Sequence, residues 1–427
     1  MTNNEEYTII SLVGKQSIPN ILFINYMTKE KEKQFKEYIF VYTDKTCKIK
    51  EKMNKFLKDK YKKAIFKDCY IKDSAYFNGI KNELKEMLEQ IEDKTHIMFN
   101  ITGGTTIMAC ALFDVAFEFN KEHGLSNNNV YYIYGNKIYK IKENSKEDEF
   151  DIPKDLLNVE DYFKAVIETR FTKIQNLKDY DTIKNFAKEV INNKYFLDNI
   201  KKYNEKACKI EKIENIPKLE QQSKLQDLLQ EFKDKILKKN IISTEKILEQ
   251  NLKNKNTEEQ IKFLIHNNWL EEYVYYNILH NISLKENLET KYIADTKVSI
   301  NTELIIDPDL DVPKKYKTKN EIDVCFIHEN NLYLIECKTN IPKDYEKVID
   351  KLKYVQSKMG TFVKATLIIL DYNFKSFDSK LKSKLTSRLK EEKIAFLTFK
   401  TEYDDYGEEK EVDLYTDIIE KNKEFED

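Results

Sequence analysis

The sequence has no zinc-type cysteine spacing, no histidine pair, no long apolar run and no surplus charge. Its six cysteines, Cys47, Cys69, Cys110, Cys208, Cys325 and Cys337, include no C-x-x-C, and its five histidines form no H-x-x-x-H. Both facts argue against zinc and against a histidine-rich metal centre. Several of the thiols fall in apolar strand or helix patterns, as structural cysteines of a reducing cytoplasm do. No apolar stretch approaches the roughly 18 residues of a membrane span. Met1–Tyr7 is polar and acidic, without the basic and apolar regions of a secretory leader. A cytoplasmic protein with no membrane partner is the expectation. Lys+Arg 72 against Asp+Glu 74 leaves a net charge of −2. That excludes a uniformly basic nucleic-acid coat. It leaves room for a local basic groove, because steering depends on where charges lie.

What is present is enough for two or three domains. The chain has 427 residues, 41% hydrophobic and 34% charged, too long for one ordinary core. Its first third alternates strand and helix patterns. Apolar strands are expected at Tyr7–Val13, Tyr38–Tyr42, His96–Ile101, Val130–Tyr134 and Lys137–Ile141, with a short apolar run at Ala64–Phe66. Helices are expected from Asn20, over Lys48–Tyr61, over Ala75–Ile91 and over Ile107–Phe119. This order predicts an open α/β domain with helices on both faces of a parallel sheet.

In such sheets ligands bind outside the carboxyl ends of the strands. Three strand ends carry small or polar residues: Gly14 to Asn20, Thr43 to Thr46, and Asn100 to Thr106. Only 8 glycines occur in the chain, so the adjacent pair Gly103-Gly104 is conspicuous. Glycines before a helix allow close approach and leave N–H groups free for a phosphate. The alternative is a tight strand-to-helix turn capped by a threonine. The dinucleotide fingerprint and the Gly-Lys-Ser/Thr phosphate loop are both absent.

Asp151–Val166 looks like a boundary. Residues from about Phe171 to Asn256 are helical, charged and poor in glycine, with amphipathic spacing at Phe186, Val190 and Ile191 and again at Leu225, Leu228, Leu229 and Phe232. Packing is their expected role. Thr257–His280 is a helix opened by a capping box, or two helices broken at Asn267-Asn268 with Trp269 starting the second. One or two strands are expected across Lys291–Ile306. A polar, lysine-rich loop follows from Pro308 to Asn320, either solvated or touching a phosphate backbone. After the next hairpin come a helix (Tyr345–Lys358), a strand (Ala365–Leu370), a helix (Ser376–Glu392) and a strand (Ile394–Phe399). The acidic tail from Asp404 is expected to be peripheral.

The hairpin itself, Glu321 to Asn340, concentrates the chemistry. Ile322, Val324 and Phe326 alternate with Glu321, Asp323 and Cys325, and Leu334, Glu336 and Lys338 share a face of the second strand. An ion on a buried strand is costly unless paired or metal-bound. Asp323 on the neighbouring strand can complete a carboxylate pair, and Glu271 or Glu272 can reach it from the preceding helix. Two carboxylates and a lysine so placed can hold a divalent metal and a water for phosphodiester hydrolysis. A solvated cross-strand ion pair is the other reading.

Two sets of motifs resemble a known combination. N-I-T-G-G-T-T-I-M-A-C-A-L (Asn100–Leu112), S-L-V-G-K-Q-S-I-P-N and L-N-V-E-D-Y-F resemble CARF domains, the Rossmann-like sensors of cyclic oligoadenylates. W-L-E-E-Y-V-Y, N-E-I-D-V and L-Y-L-I-E-C-K-T resemble the PD-(D/E)xK restriction-endonuclease-like module fused to them in type III CRISPR ancillary nucleases. The resemblance implies an α/β chain with a CARF-like sensor at 1–150, a helical segment at 151–256, a nuclease domain at 257–400 and an acidic tail at 401–427. It implies a homodimer holding one cyclic oligoadenylate across its two-fold axis. That symmetry favours cyclic tetra-adenylate. It also implies Mn²⁺- or Mg²⁺-dependent cleavage of DNA or RNA.

By position, Asp323 and Glu336 are then the metal ligands, with the backbone carbonyl of Cys337. Lys338 is the water-orienting lysine and Glu271 the helical acid. The ligand-binding set is Gly14, Lys15, Gln16, Ser17, Asn20, Thr43, Asp44, Asn100, Thr102, Gly103, Gly104, Thr105 and Thr106. The family often has lysine where this chain has Thr106, which removes a cationic contact but not the N–H groups. A ligand-responsive regulator without cleavage is the competing class; it calls for a helix-turn-helix in the C-terminal half, where strands bearing Asp, Glu and Lys stand instead. Self-cleavage of the activator by the sensor, with Ser17, Asn20 and Thr105 positioning it, is a further option.

Overall fold

The computed structural model describes residues 6–425 except 32, 126–128, 143–146, 167, 173–179, 214–216, 238–254, 267, 306–319, 340–344, 376–377, 400–401, 404–408 and 411. The Pro308–Asn320 loop of the sequence reading therefore lies almost wholly outside the described residues.

The first sheet grows from β1 (Glu6–Leu12), α1 (Ile18–Lys29), β2 (Gln34–Tyr42), α2 (Cys47–Lys60), β3 (Ile65–Tyr70), α3 (Phe77–Glu89), β4 (Ile97–Asn100), α4 (Thr106–Glu122) and β5 (Val130–Tyr134). Antiparallel β6 (Lys137–Ile141) and β7 (Asp148–Asp151) extend it. The strand order is β3-β2-β1-β4-β5-β6-β7, with parallel pairing from β3 through β5. Strand alternation sorts the side chains. Ile9, Tyr38, Phe40 and Met98 meet α1 and α2 on one face, while Ile10, Ile39, Val41 and Phe99 meet α3 and α4 on the other. The chain runs β1 to β3 in one direction and returns to β4 beside β1. The carboxyl ends of β1 and β4 thus form the switch point where such sheets bind ligands.

After α5 (Val159–Val166) the chain does not stay helical. Strand β8 (Glu168–Thr172) joins the second sheet before α6 (Tyr180–Asn192), α7 (Lys194–Glu211) and α8 (Lys218–Phe232). The helix expected over Thr257–His280 is two, α9 (Thr257–Leu264) and α10 (Asn268–Glu286), with Trp269 fully buried in the second. Residues expected as the first strand after them instead form α11 (Thr290–Thr296), and only β9 (Val298–Ile305) is extended. In K-Y-I-A-D-T a single residue, Ile293, is buried among those of α11, so the local pattern carries too little periodicity to separate helix from strand.

The sheet continues with β10 (Asn320–His328), β11 (Asn331–Lys338), α12 (Tyr345–Met359), β12 (Val363–Leu370), α13 (Asp371–Lys375), α14 (Ser379–Glu391) and β13 (Ile394–Phe399). Its order is β13-β12-β11-β10-β9-β8. The strands β11, β12 and β13 are parallel and the rest antiparallel.

The tail is not peripheral. Helix α15 (Leu414–Lys423) buries Leu414, Tyr415, Ile418 and Ile419 in the core that also holds Trp269, Val324, Phe326, Ile335 and Cys337. Asn422, also buried, donates to the hydroxyl of Thr366 on β12 at 2.9 Å. The acidic composition of the segment hid this apolar stripe. Helices α6 to α8 pack into the same core. On the opposite face, Cys325, Ile327, Leu332 and Leu334 of the hairpin share a core with α1 and α5. The two sheets are thereby joined by apolar packing as well as by the chain. At the hairpin turn, Asn330 donates to the carbonyl of Pro153 at 2.7 Å.

Candidate functional sites

The hairpin register places Val324 opposite Ile335 and Phe326 opposite Tyr333, which sets Asp323 against Glu336. The pairing changes character there. Ile322 packs with Cys325 and Ile327 and not with Val324 and Phe326, so the strict alternation expected of β10 fails at Asp323. The carboxylate is turned onto the ladder instead, where the backbone N–H of Cys337 donates to it at 2.7 Å.

Lysines complete the cluster. Lys338 Nζ lies 2.7 Å from Glu336 Oε1 and 3.5 Å from Asp323 Oδ2. The other oxygen of Glu336 is taken by Lys351 of α12, also at 2.7 Å. Asp323 is 7% exposed and Glu336 3%, so the solvated ion pair is not what folds here. Glu271, on α10, lies close enough to feel Asp323 and Lys338. Glu272 instead pairs with Lys255 at 2.8 Å.

The electrostatics follow from burial. Burial, then repulsion from Glu336, pushes the Asp323 carboxyl up to about 6. Burial and the charge of Asp323 push Glu271 well above the glutamate range. Burial works the same way on Glu336, but Lys338 and Lys351 outweigh it and hold its carboxyl below the ordinary value. Burial alone would lower Lys338, yet Asp323 and Glu336 keep it above the ordinary lysine value. The thiol of Cys337 is pushed well up by burial and by Asp323, which leaves it inert.

Among the described residues no three His, Cys, Asp or Glu converge on one point as metal ligands do. Two ammonium groups and a backbone N–H take up the carboxylate oxygens that would face such a point. The donor chemistry nevertheless fits a hard divalent cation: buried carboxylates with oxygen donors, two of them lifted in pKa by burial and then by a neighbouring carboxylate.

The residues expected to bind ligand separate into a floor and a rim. Buried Asn20 donates to the Leu12 carbonyl at 3.0 Å and accepts from buried Asn100 at 2.8 Å. The Asn100 oxygen accepts from the Thr102 hydroxyl, which in turn accepts from the Ile133 N–H at 2.9 Å. Ser17 is buried and donates to the Ala165 carbonyl at 2.9 Å. These residues hold the loops in shape. A Cβ on Gly103 would fall 2.0 Å from the Leu12 carbonyl oxygen, and one on Gly14 would sit 3.2 Å from the Gly104 nitrogen. The β1 and β4 loops are in backbone contact, which only glycine permits.

Gly104, at φ +74°, also needs the left-handed region. The rim is Lys15 on the β1–α1 loop with Gly104, Thr105 and Thr106 at the start of α4, all exposed; the Thr105 hydroxyl accepts from the Met108 N–H at 3.3 Å. This loop pairs a cap with exposed N–H groups at a helix N-terminus. Thr43 caps the short turn at Asp44–Thr46, and Asp44, exposed, accepts from the Tyr70 hydroxyl at 2.8 Å. Gln16 points elsewhere: it accepts from Thr361 on the second sheet's side at 2.8 Å.

Sequence reasoning missed Lys351. It flanks the buried stripe Ile349, Leu352, Val355 and Met359 of α12, a position where lysines commonly lay an apolar stem along the core. Nothing in that pattern distinguishes a lysine bound for Glu336 from one bound for solvent.

Comparison with known proteins agrees with both halves. Residues 8–162 match the family model of the Card1 CARF domain, and residues 257–376 match that of the Card1-like endonuclease domain. No curated relative matches the chain. Three of the solved structures that share the fold illustrate it. Protein VC1899 from Vibrio cholerae has a TM-score of 0.63 at 14% identity, covering 92% of this chain and 94% of its own. Can2 from Sulfobacillus thermosulfidooxidans, solved with cyclic tetra-adenylate, has a TM-score of 0.57 at 19% identity, covering 91% and 92%. A type III CRISPR defence DNA nuclease activated by cyclic oligoadenylate has a TM-score of 0.50 at 14% identity, covering 86% and 45%.

Proposed function

We propose that this chain, which joins a Card1-type CARF domain to a Card1-like endonuclease domain, is a metal-dependent nuclease of type III CRISPR antiviral defence switched on by cyclic oligoadenylate. The observation that carries the reading is a pairing within one chain. A glycine-built strand-end loop lies in the CARF domain, and a buried Asp323–Glu336–Lys338 cluster lies in the endonuclease domain. Cyclic tetra-adenylate is the preferred activator, because a dimer's two-fold axis matches an even ring and Can2 is solved with that ring. The Gly103–Thr106 N–H groups and Lys15 would face its phosphates, one set from each protomer of a homodimer.

Asp323, Glu336 and the Cys337 carbonyl would hold Mn²⁺ or Mg²⁺, with Glu271 behind them. That ion would lower the pKa of a bound water and stabilise charge developing on the scissile phosphate. Lys338 remains charged throughout. Its ammonium, anchored by both carboxylates, is oriented to steer the attacking water and to face the same developing charge. Burial of the cluster keeps bulk water from screening that interaction. Exposed Lys380 and Lys384, one turn apart on α14, offer a basic surface for a DNA or RNA backbone.

The test is cleavage of supercoiled plasmid, single-stranded DNA and single-stranded RNA with tri-, tetra- and hexa-adenylate rings and Mg²⁺ or Mn²⁺. Cleavage with the tetra-adenylate ring and metal, lost in Glu336→Gln, is expected. No cleavage under any combination would sink the reading.

A further inference from the structure

Helix α12 touches both sites. In its middle, Lys351 holds Glu336 at 2.7 Å. At its end, Gly360 adopts φ +103° and its backbone lies against the side chain of Gln16, so that a Cβ there would sit 3.1 Å from Gln16 Cδ. The next residue, Thr361, donates its hydroxyl to Gln16 Oε1 at 2.8 Å. Gln16 belongs to the β1–α1 loop, the same loop as Gly14 and Lys15. The two contacts stand nine positions apart, about 14 Å at ~1.5 Å per residue.

The packing of α12 is divided in the same way. Ile349 and Leu352 belong to the core formed with β12, β13 and α14. Val355 and Met359 belong to the core formed with α1 and α5. A packed helix moves as a unit, and cores resist continuous deformation. A displacement of the β1–α1 loop is therefore felt along α12.

At the other end, a dication near Glu336 would face two ammonium groups. Lys338 is tied to two carboxylates on its own hairpin. Among the described residues Lys351 pairs with Glu336, and it comes from a separate element. Of the two, Lys351 is the one that helix movement can withdraw.

We propose that Lys351 is a positioning residue that competes with a divalent cation for Glu336, and that α12 couples this contact to the sensor loop through Thr361 and Gln16. Ligand on the loop breaks the Gln16–Thr361 contact, α12 shifts, and Glu336 is released to the metal. The inference rests on the metal-nuclease reading and adds the route of its regulation.

The test is Mn²⁺ affinity of the full-length chain, measured by calorimetry with and without cyclic tetra-adenylate. Wild type, Lys351→Met, Lys351→Arg and Thr361→Val are compared, with thermal melts to check folding. Wild type should bind Mn²⁺ at least about five-fold more tightly with the ring, the lower end of ordinary allosteric coupling. Lys351→Met should bind Mn²⁺ without the ring as tightly as wild type does with it. Lys351→Arg should restore the wild-type difference, and Thr361→Val should shrink it. If Lys351→Met binds ring-free Mn²⁺ no more tightly than wild type, the latch is wrong and the metal site stands. If wild type binds Mn²⁺ equally with and without the ring, the latch is again wrong. If wild type binds no Mn²⁺ in either condition, the metal reading falls and takes the latch with it.

Discussion

At the β4–α4 turn the chemistry is carried by the backbone; on the β10–β11 hairpin it is carried by side chains. The turn is uncharged but for Lys15 beside it, it is exposed at its rim, and it exists because Gly103 and Gly14 let two loops touch. The hairpin cluster is buried, with carboxylates and ammonium groups held within 3.5 Å of one another. A backbone site tolerates changes of side chain around it but not an added Cβ. A charged site answers to its charge balance: removing a lysine leaves buried carboxylates uncompensated, whereas neutralising Asp323, which burial and Glu336 disfavour as an anion, does not. The two should therefore fail differently, and each experiment below separates them.

The largest expected effect is on the hairpin. Lys338→Met should lower activator-dependent cleavage by about 10²–10⁴-fold, the usual contribution of a positioned proton-handling or water-orienting group. Binding of cyclic tetra-adenylate should be unchanged. Cleavage kinetics and ligand titration on the same preparation check this, and loss of ring binding would show that the sites are not separable in this way.

Next is the charge balance of the cluster. The Asp323 carboxyl is raised to about 6 from an unfolded value of 3.8. Between about pH 4 and pH 6 the folded chain thus holds a proton that the unfolded chain has lost. This contribution to stability is present below that window and fades as pH rises through it, by up to about 3 kcal/mol. Glu336, depressed by its lysines, acts in the opposite sense. The Asp323 part is isolated by Asp323→Asn, which keeps an acceptor for the Cys337 N–H. In chelator-containing buffer above pH 6 this variant should be more stable than wild type, and its stability should change less between pH 4 and pH 6. Chemical denaturation across that range decides; a less stable Asn variant at pH 7 would contradict the electrostatic account.

The smallest effect in free energy is expected at the turn. Gly103→Ala forces a Cβ to within 2.0 Å of the Leu12 carbonyl unless the loops separate. A cost of about 1–3 kcal/mol in stability is expected, with ring binding lost. Mn²⁺ binding at the hairpin should survive. A variant with normal ring affinity would mean that the β1–β4 loop contact is not the binding surface.

Much of this was legible in the chain. Period-two patterns and strand-to-helix alternation marked the first sheet, because buried strands must alternate and parallel strands need crossovers. The two strands of the hairpin were legible, and the alternation read for the second holds, with Tyr333, Ile335 and Cys337 in one core and Leu334 in another. The stretch from Thr290 to Thr296 was not, because one buried residue carries no period. Nor was the role of α15, whose apolar stripe is diluted by acidic neighbours. The turn of Asp323 onto the Cys337 N–H breaks the alternation that predicted its strand.

The sequence by itself determined the local elements, the two loops that can approach a ligand, and the acids and base of the hairpin. Each of these follows from residue type and spacing within a few positions. Only the tertiary structure decided that Lys351 reaches Glu336, that Gln16 meets Thr361, and that the tail helix closes the core. Those contacts join residues 15, 345 and 56 positions apart. A flanking lysine, a loop glutamine and a helix-end asparagine look alike wherever they occur. Their partners are fixed when cores pack and bring distant elements within hydrogen-bond reach.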